Sequence, residues 1–201
     1  KAEILSQIQL KTEEQKKLEI HYKTVKEIFK RSIEKYKDNI SILDRPNHDH
    51  KAKFEEFTYE RFGNDAINLG TGLMKYLNLS NERIIIIGEN TYYWYVSYFS
   101  ILCGVGIAVP VDKELPNNEI ENVIKRSHAA AVIYSKKKKD AIDKIKDNLP
   151  MVKYFIEMNS DDGVQGRDVG IEHVIAEGKK LTDAGNTEYM DVEIDPEEFK
   201  F

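Results

Sequence analysis

Apolar residues along the chain recur with two periods, about 3.6 and 2, and the switching between them sets the expected architecture. Ile4, Leu5, Ile8 and Leu18 punctuate an otherwise polar segment over residues 1–20, expected as a helix lying against something. Val25, Ile28, Phe29, Ile33 and Tyr36 share one face of a second helix that Thr24 is placed to cap. Ile40–Leu43 and Phe54–Thr58 read as short strands around the polar turn Asn47–Lys53, a candidate hairpin. Tyr59, Phe62, Ala66, Leu69, Leu73 and Leu77 repeat every three or four residues and predict a helix.

The middle of the chain is the most regular. Arg83-Ile84-Ile85-Ile86-Ile87 is the continuous β-branched run of a strand covered on both faces, and Gly88-Glu89-Asn90 breaks it. Thr91–Cys103 reads as a helix apolar nearly all round, hence buried. Strands follow at Ile107–Val111, Ala129–Tyr134 and Val152–Ile156. Between them lie a helix starting at Pro116, with Ile120, Val123 and Ile124 facing inward, and a helix marked by Ala141, Ile142, Ile145 and Leu149. Met158–Val169 reads as a polar loop, Ile171 to Leu181 as a further helix, and Tyr189–Ile194 as a last extended piece. Strands alternating with helices at this spacing mean βαβ units. The expected fold is α/β, a mostly parallel sheet flanked by helices with right-handed crossovers, preceded by a helix and a short antiparallel hairpin. The division expected is 1–58 for the N-terminal helices and hairpin and 59–201 for the parallel α/β part.

Composition narrows the class. At 201 residues the chain suits one domain, or one and a fraction, and can bury roughly 70% of its unfolded surface. A net charge of −5 argues against nucleic acid as a partner. No apolar run reaches the ~18 residues of a transmembrane segment, and the single Cys103 excludes a disulfide framework and a cysteine-based zinc site. The expected location is cytoplasmic, with a peripheral membrane contact as the variant. Charge is uneven: residues 1–38 carry 10 basic and 7 acidic groups, whereas residues 157–201 carry 4 and 13. The acidic end suits solvated surface, or a linker into more protein.

In an open parallel sheet, ligands bind outside the carboxyl ends of the strands. Here those ends are Gly88-Glu89-Asn90, Val111-Asp112-Lys113 and Ser135-Lys136. Gly88 answers first to the turn, although a helix follows it whose free N–H groups suit an anion. Gly104-Val105-Gly106 starts like a dinucleotide fingerprint, but position 109 is Val and a helix precedes it, which breaks that motif's mechanism. There is no Gly-x-x-x-x-Gly-Lys-Ser/Thr loop and no Gly-x-Ser-x-Gly elbow. His48-Asp49-His50 lacks a third metal ligand nearby and reads as a surface loop. His21, His128 and His173 read as helix-surface or helix-end residues, and Cys103 as inert core. Lys136–Lys139 reads as a solvated helix start, partly compensated by Asp140, Asp143 and Asp147. Tyr92 to Tyr95 cannot share one helix face, which favours packing over base stacking.

Several of these segments, in order, resemble one known family. Phe57-Thr58-Tyr59-Glu60-Arg61-Phe62 resembles the first motif of adenylate-forming (AMP-binding, ANL superfamily) enzymes. Ile84–Asn90 with Trp94 resembles the next block, and Ile101–Asp112 the second motif. Asn118-Glu119-Ile120, Ser127 and Ala130–Ser135 continue the register, so the resemblance covers roughly residues 22–201. Through Pro110–Pro116 the chain looks most similar to bacterial long-chain fatty-acid–CoA ligases.

The resemblance implies the N-terminal subdomain of the acyl-CoA synthetase fold. It further implies a two-step reaction in which ATP and a carboxylate give an acyl-adenylate and CoA takes the acyl group, with Mg2+ assisting. The family's phosphate-binding loop is expected after a segment like Asp195–Glu198, past Phe201, and the adenine, magnesium, acyl-pocket and catalytic-lysine motifs further on. The expectation is therefore an N-terminal fragment of a ligase, inactive alone, binding no cofactor itself, whose partners are the remainder of the enzyme and a second copy through exposed docking surface. No catalytic or metal residue carries over, and the cofactor-contacting residues stay unassigned. Some relatives bring an arginine near the second motif to the CoA phosphate, where this chain has Gly104. The alternatives are a standalone α/β module for a nucleotide or CoA, and a partner- or membrane-surface-binding domain using the basic N-terminal segment.

Overall fold

The computed structural model describes residues 22–45 and 51–197. The helix expected over 1–20, His21 and the His48-Asp49-His50 loop lie outside these residues. Helix α1 (Val25–Tyr36) starts at Thr24, whose hydroxyl accepts the Glu27 N–H at 3.2 Å. Strands β1 (Ile40–Asp44) and β2 (Glu55–Thr58) pair antiparallel as the expected hairpin. Thr58 then caps helix α2 (Tyr59–Thr71), accepting from Arg61 N, and a wider π turn over Gly72–Tyr76 extends it.

The remaining elements build a five-stranded parallel sheet. They are β3 (Glu82–Ile87), α3 (Tyr92–Ser100), β4 (Gly106–Val111), α4 (Asn117–Ser127), β5 (Ala131–Tyr134), α5 (Lys139–Ile145), β6 (Tyr154–Glu157), β7 (Asp168–Gly170), α6 (Ile171–Asp183) and the single turn α7 (Glu188–Asp191). The strand order is β4-β3-β5-β6-β7, with every neighbouring pair parallel. Pro116 occupies the cap position of α4 rather than its first turn.

The period of two along each strand divides the core. Ile84, Ile86, Ala131, Ile133 and Ile156 face a layer made by α1, α2, α3 and α6. Ile85, Ile87, Val132, Tyr134 and Phe155 face α4 and α5. All four isoleucines of β3 are fully buried, as the unbroken apolar run implies. Helix α3 departs from the expectation of full burial. Tyr92, Val96, Ser97 and Ser100 are buried, but Trp94, Tyr95 and Tyr98 are half-buried, and Trp94 stacks on Tyr98 at 5.2 Å. One side of this helix meets the core, and the aromatics on its other side cover one another.

Two other expectations are corrected. The loop expected over Met158–Val169 ends in β7, a fifth strand of three residues, too short to show a periodicity. Tyr189–Ile194 is not extended: α7 makes one helical turn and irregular backbone follows. Burial of Tyr189 imposes that shape. Its ring packs so closely on α2 and the end of α3 that a Cβ at Gly70 would lie 2.2 Å from it, and its hydroxyl donates to Ser100 O at 3.0 Å. Lys26, buried on α1, donates to Tyr189 O at 3.1 Å and Val192 O at 2.6 Å. A tertiary anchor, not local propensity, decides this segment.

Helices α2 and α6 cross at van der Waals contact. A Cβ on Gly178 would lie 1.8 Å from Asn68 O, and one on Gly72 would lie 2.3 Å from Val174 O. In an exposed helix, Gly178→Ala would stabilise by about 1 kcal/mol. Here the new methyl meets backbone, so the variant is expected to lose about 1–3 kcal/mol, read as a lower urea midpoint. Burial, with Lys30 nearby, lowers the Lys26 pKa to about 8. The folded state therefore binds fewer protons than the unfolded chain between that value and about 10.4, and stability from this group rises with pH across that window. The melting temperature of the protein minus that of Lys26→Met is expected to increase from pH 8 to pH 10.5.

Candidate functional site

Strands β3 and β5 are neighbours whose outgoing helices, α3 and α5, lie on opposite faces of the sheet. That makes their carboxyl ends the topological switch point, where ligands of open α/β sheets bind. The strand ends singled out in the sequence meet there. Ser135 N donates to Ile87 O at 3.0 Å, and Gly88 runs so close to Ser135 that a Cβ would lie 2.5 Å from its Cβ. Gly88 also has φ +154°, so its glycine is doubly required.

Charges line this crevice in pairs. Glu89, whose side chain is 11% exposed, lies 4.0 Å from Lys137. Lys138 reaches over to donate to the carbonyl of Lys113, joining the end of β4 to the turn after β5. Lys113 itself pairs with Glu114. Lys139 bridges Asp143 at 3.6 Å and Glu157, at the end of β6, at 3.5 Å. Beside Glu157 a polar cavity of about 160 Å³ opens between Tyr134, Ser160, Gln165 and Asp168. Burial pushes the Glu89 carboxyl up, but the Ser135 hydroxyl, Lys137 and Lys113 outweigh it and hold it below the ordinary carboxylate value.

The other sequence candidates fall elsewhere. Lys136–Lys139 forms a 3₁₀ turn and the first residue of α5, with Lys137 and Lys139 taken up in ion pairs rather than only solvated. Cys103 is buried just beyond the end of α3, and burial pushes its thiol up to about 12, which disfavours the thiolate. His128 is the left-handed C-cap of α4 at φ 53°, and His173 lies on α6 with Nε2 3.2 Å from the Tyr76 hydroxyl. Gly104 packs against Tyr189, 2.9 Å from any Cβ it could carry, so this position points into the core and not toward a phosphate. Sequence reasoning missed the Asp65–Tyr92–Asp44 cluster beside α3. Tyr92 donates its hydroxyl to Asp65 Oδ2 and its N–H to Asp44 Oδ2, both at 2.7 Å. Asp44 thereby caps α3 from the hairpin, a long-range contact with no local signal.

Among the described residues no group of three or more acids, histidines or cysteines gathers to hold a metal. Of the lysines of the crevice, Lys113, Lys137 and Lys139 answer carboxylates and Lys138 a backbone carbonyl.

Fold and strand-end geometry together define a doubly wound α/β protein, and the comparisons narrow the class. The family of AMP-binding enzymes matches residues 29–198, and the chain belongs to that family. Similar solved structures include the anthranilate CoA ligase AuaEII in complex with anthranoyl-AMP, at 20% identity and a TM-score of 0.65, covering 79% of this chain and 28% of that one. A protein named as a long-chain-fatty-acid CoA ligase from Rhodopseudomonas palustris CGA009 matches at 16% identity and a TM-score of 0.63, covering 75% and 36%. At these identities the likeness shows the fold, and the chain spans about a third of the length of either structure. Direct comparison with curated sequences finds no match.

A lowered Glu89 pKa adds stability that is present above the unfolded value near 4.3 and is lost as pH falls through the folded one. The protein is expected to melt above Glu89→Gln at pH 7, with the gap narrowing as pH falls below about 4.

Proposed function

We propose that this chain is the N-terminal subdomain of an ATP-dependent acid–thiol ligase, and that the acid is a long-chain fatty acid. In the first half-reaction the carboxylate oxygen attacks the α-phosphorus of ATP, pyrophosphate leaves and an acyl-adenylate forms. In the second, the CoA thiol attacks the acyl carbonyl and AMP leaves. The family match over residues 29–198 carries this reading. The two neighbours named above are described as CoA ligases and share the fold. For the fatty acid the support is the resemblance of Pro110-Val111-Asp112-Lys113-Glu114-Leu115-Pro116. An aromatic acid is the second reading, because one neighbour is an anthranilate ligase holding its adenylate.

Within such an enzyme the subdomain's part is architectural. Its sheet presents the β3, β4 and β5 ends as one wall of a cleft, and catalysis needs groups that stabilise transferring phosphoryl charge. The described residues do not supply them, so residues 1–201 alone are expected to be inactive.

The test is ATP–pyrophosphate exchange by the full gene product with hexadecanoate, octanoate and anthranilate in parallel. Exchange highest with hexadecanoate is expected, and none with residues 1–201 alone. Highest exchange with anthranilate would replace the fatty acid, and exchange with no acid would overturn the ligase. Titration of residues 1–201 with millimolar ATP or CoA is expected to show no binding heat. A measurable heat would favour a standalone binding module.

A further inference from the structure

The polar cavity beside Glu157 has walls with unmet demands. It holds about 160 Å³ between the start of α5, the ends of β5 and β6 and the segment leading into β7, and Tyr134, Lys139, Glu157, Asp162 and Asp168 supply polar lining. Tyr134 is 1% exposed, yet its hydroxyl has no hydrogen-bond partner among the described residues. Asp168 gives Oδ2 to Lys146 at 2.9 Å, whereas its Oδ1 is buried and has no partner among those residues. A buried polar group left unpaired is costly, and two of them at one cavity call for a ligand. The outer wall is held in place by its own bonds. Ser160 Oγ donates to Asp162 Oδ2 at 2.9 Å, Gly170 N to Asp162 O at 2.8 Å and Gln165 N to Asp168 O at 2.8 Å.

Charge and spacing select the occupant. Lys139 is shared between Glu157 and Asp143, and Lys146 between Asp143 and Asp168. With Asp162 on the wall, four carboxylates face two ammonium groups, which leaves two negative charges uncompensated. Arg167 does not supply the balance. Its guanidinium is taken up by the carbonyls of Lys146, Leu149 and Val152 and lies 4.0 Å from Asp147. His173, behind Gly163, is bonded to the Tyr76 hydroxyl. Burial, and then the fields of Glu157, Asp168 and Asp143, push the Tyr134 hydroxyl well above its ordinary value, so it stays neutral in a negative surrounding. A cation with N–H donors therefore fits. Among the described residues no three acids converge as they would around a metal ion, so the acceptors are set apart. A guanidinium spreads its N–H donors over a plane and is more weakly hydrated than an ammonium, which suits separated acceptors. We propose that this cavity binds a small guanidinium compound, its N–H groups directed to Asp168 Oδ1 and the Tyr134 oxygen and its charge set against Glu157 and Asp162. Binding here does not depend on the ligase reading.

The experiment is a titration of the 201-residue chain with methylguanidinium chloride, followed by proton–nitrogen amide shifts, with ionic strength held constant by sodium chloride. Saturable shifts at Gly163, Gln165, Gly166 and Val169 are expected, together with a raised melting temperature. Tetramethylammonium carries the charge without N–H donors, and urea the donors without the charge. Each is expected to bind at least tenfold more weakly, and methylammonium several-fold more weakly. Asp168→Asn is expected to weaken methylguanidinium at least tenfold. Tyr134→Phe removes a hydroxyl that bonds nothing among the described residues, so the free variant is expected to melt no lower than the parent while binding several-fold more weakly. Circular dichroism melting reports whether each variant folds, and Tyr134→Phe alone decides if Asp168→Asn does not. No saturation by about 50 mM, an equal response to tetramethylammonium or to added sodium chloride, or unchanged affinity in Tyr134→Phe would overturn the proposal. Methylammonium binding as tightly as methylguanidinium would overturn it in favour of a compact cation.

Discussion

Strand β3 is the constraint on which the rest of the molecule depends. It pairs on one side with β4 and on the other with β5, and Ile84 to Ile87 are wholly withdrawn from water. Alternation sends Ile84 and Ile86 into one core and Ile85 and Ile87 into the other. Burying four isoleucines contributes about 6–12 kcal/mol in gross terms, at about 1.5–3 kcal/mol each, on the scale of a whole domain's net stability. A one-residue slip in register would exchange the two faces. The strand therefore fixes which helices pack where, and with them the position of the crevice at its carboxyl end.

The opposite end of the fold is held by polar contacts rather than by strand pairing. Tyr189 fills the space that Gly70 and Gly104 leave open, and Lys26 ties the backbone at Tyr189 and Val192 to α1. The chain thus closes its first described helix against its last. Asp44 plays a similar part for the hairpin, capping α3 through Tyr92 N. These contacts bring the segment before the sheet and the segment after it onto one core, with Phe29 and Phe57 packed beside Phe62 and Tyr92.

The chain belongs to the AMP-binding family, and its crevice is built from the ends of several strands. The described residues give rigid strand ends and a set of balanced charges, with Glu89 stabilised as a carboxylate by Ser135, Lys137 and Lys113. Rigid presentation is what a site built from several segments needs from its scaffold.

The sequence by itself determined the class of fold, because strands buried on both faces and amphipathic helices write their periods into the chain. The runs Ile84–Ile87 and Ala131–Tyr134, the cap at Thr24 and the stripe from Tyr59 to Leu73 needed nothing beyond local pattern. Motif order also carried the family. Only the tertiary structure decided the three-residue strand β7, the helical turn at Tyr189, the half-exposure of Trp94 and Tyr98, and the inward aim of Gly104. It alone joined Glu89 to Lys137 and Lys138 to Lys113 at one switch point. The physical reason is the range of the forces involved. Periodicity reports which side of an element avoids water, whereas caps, clamps and charge pairs between residues tens of positions apart exist only once the strands have chosen their neighbours.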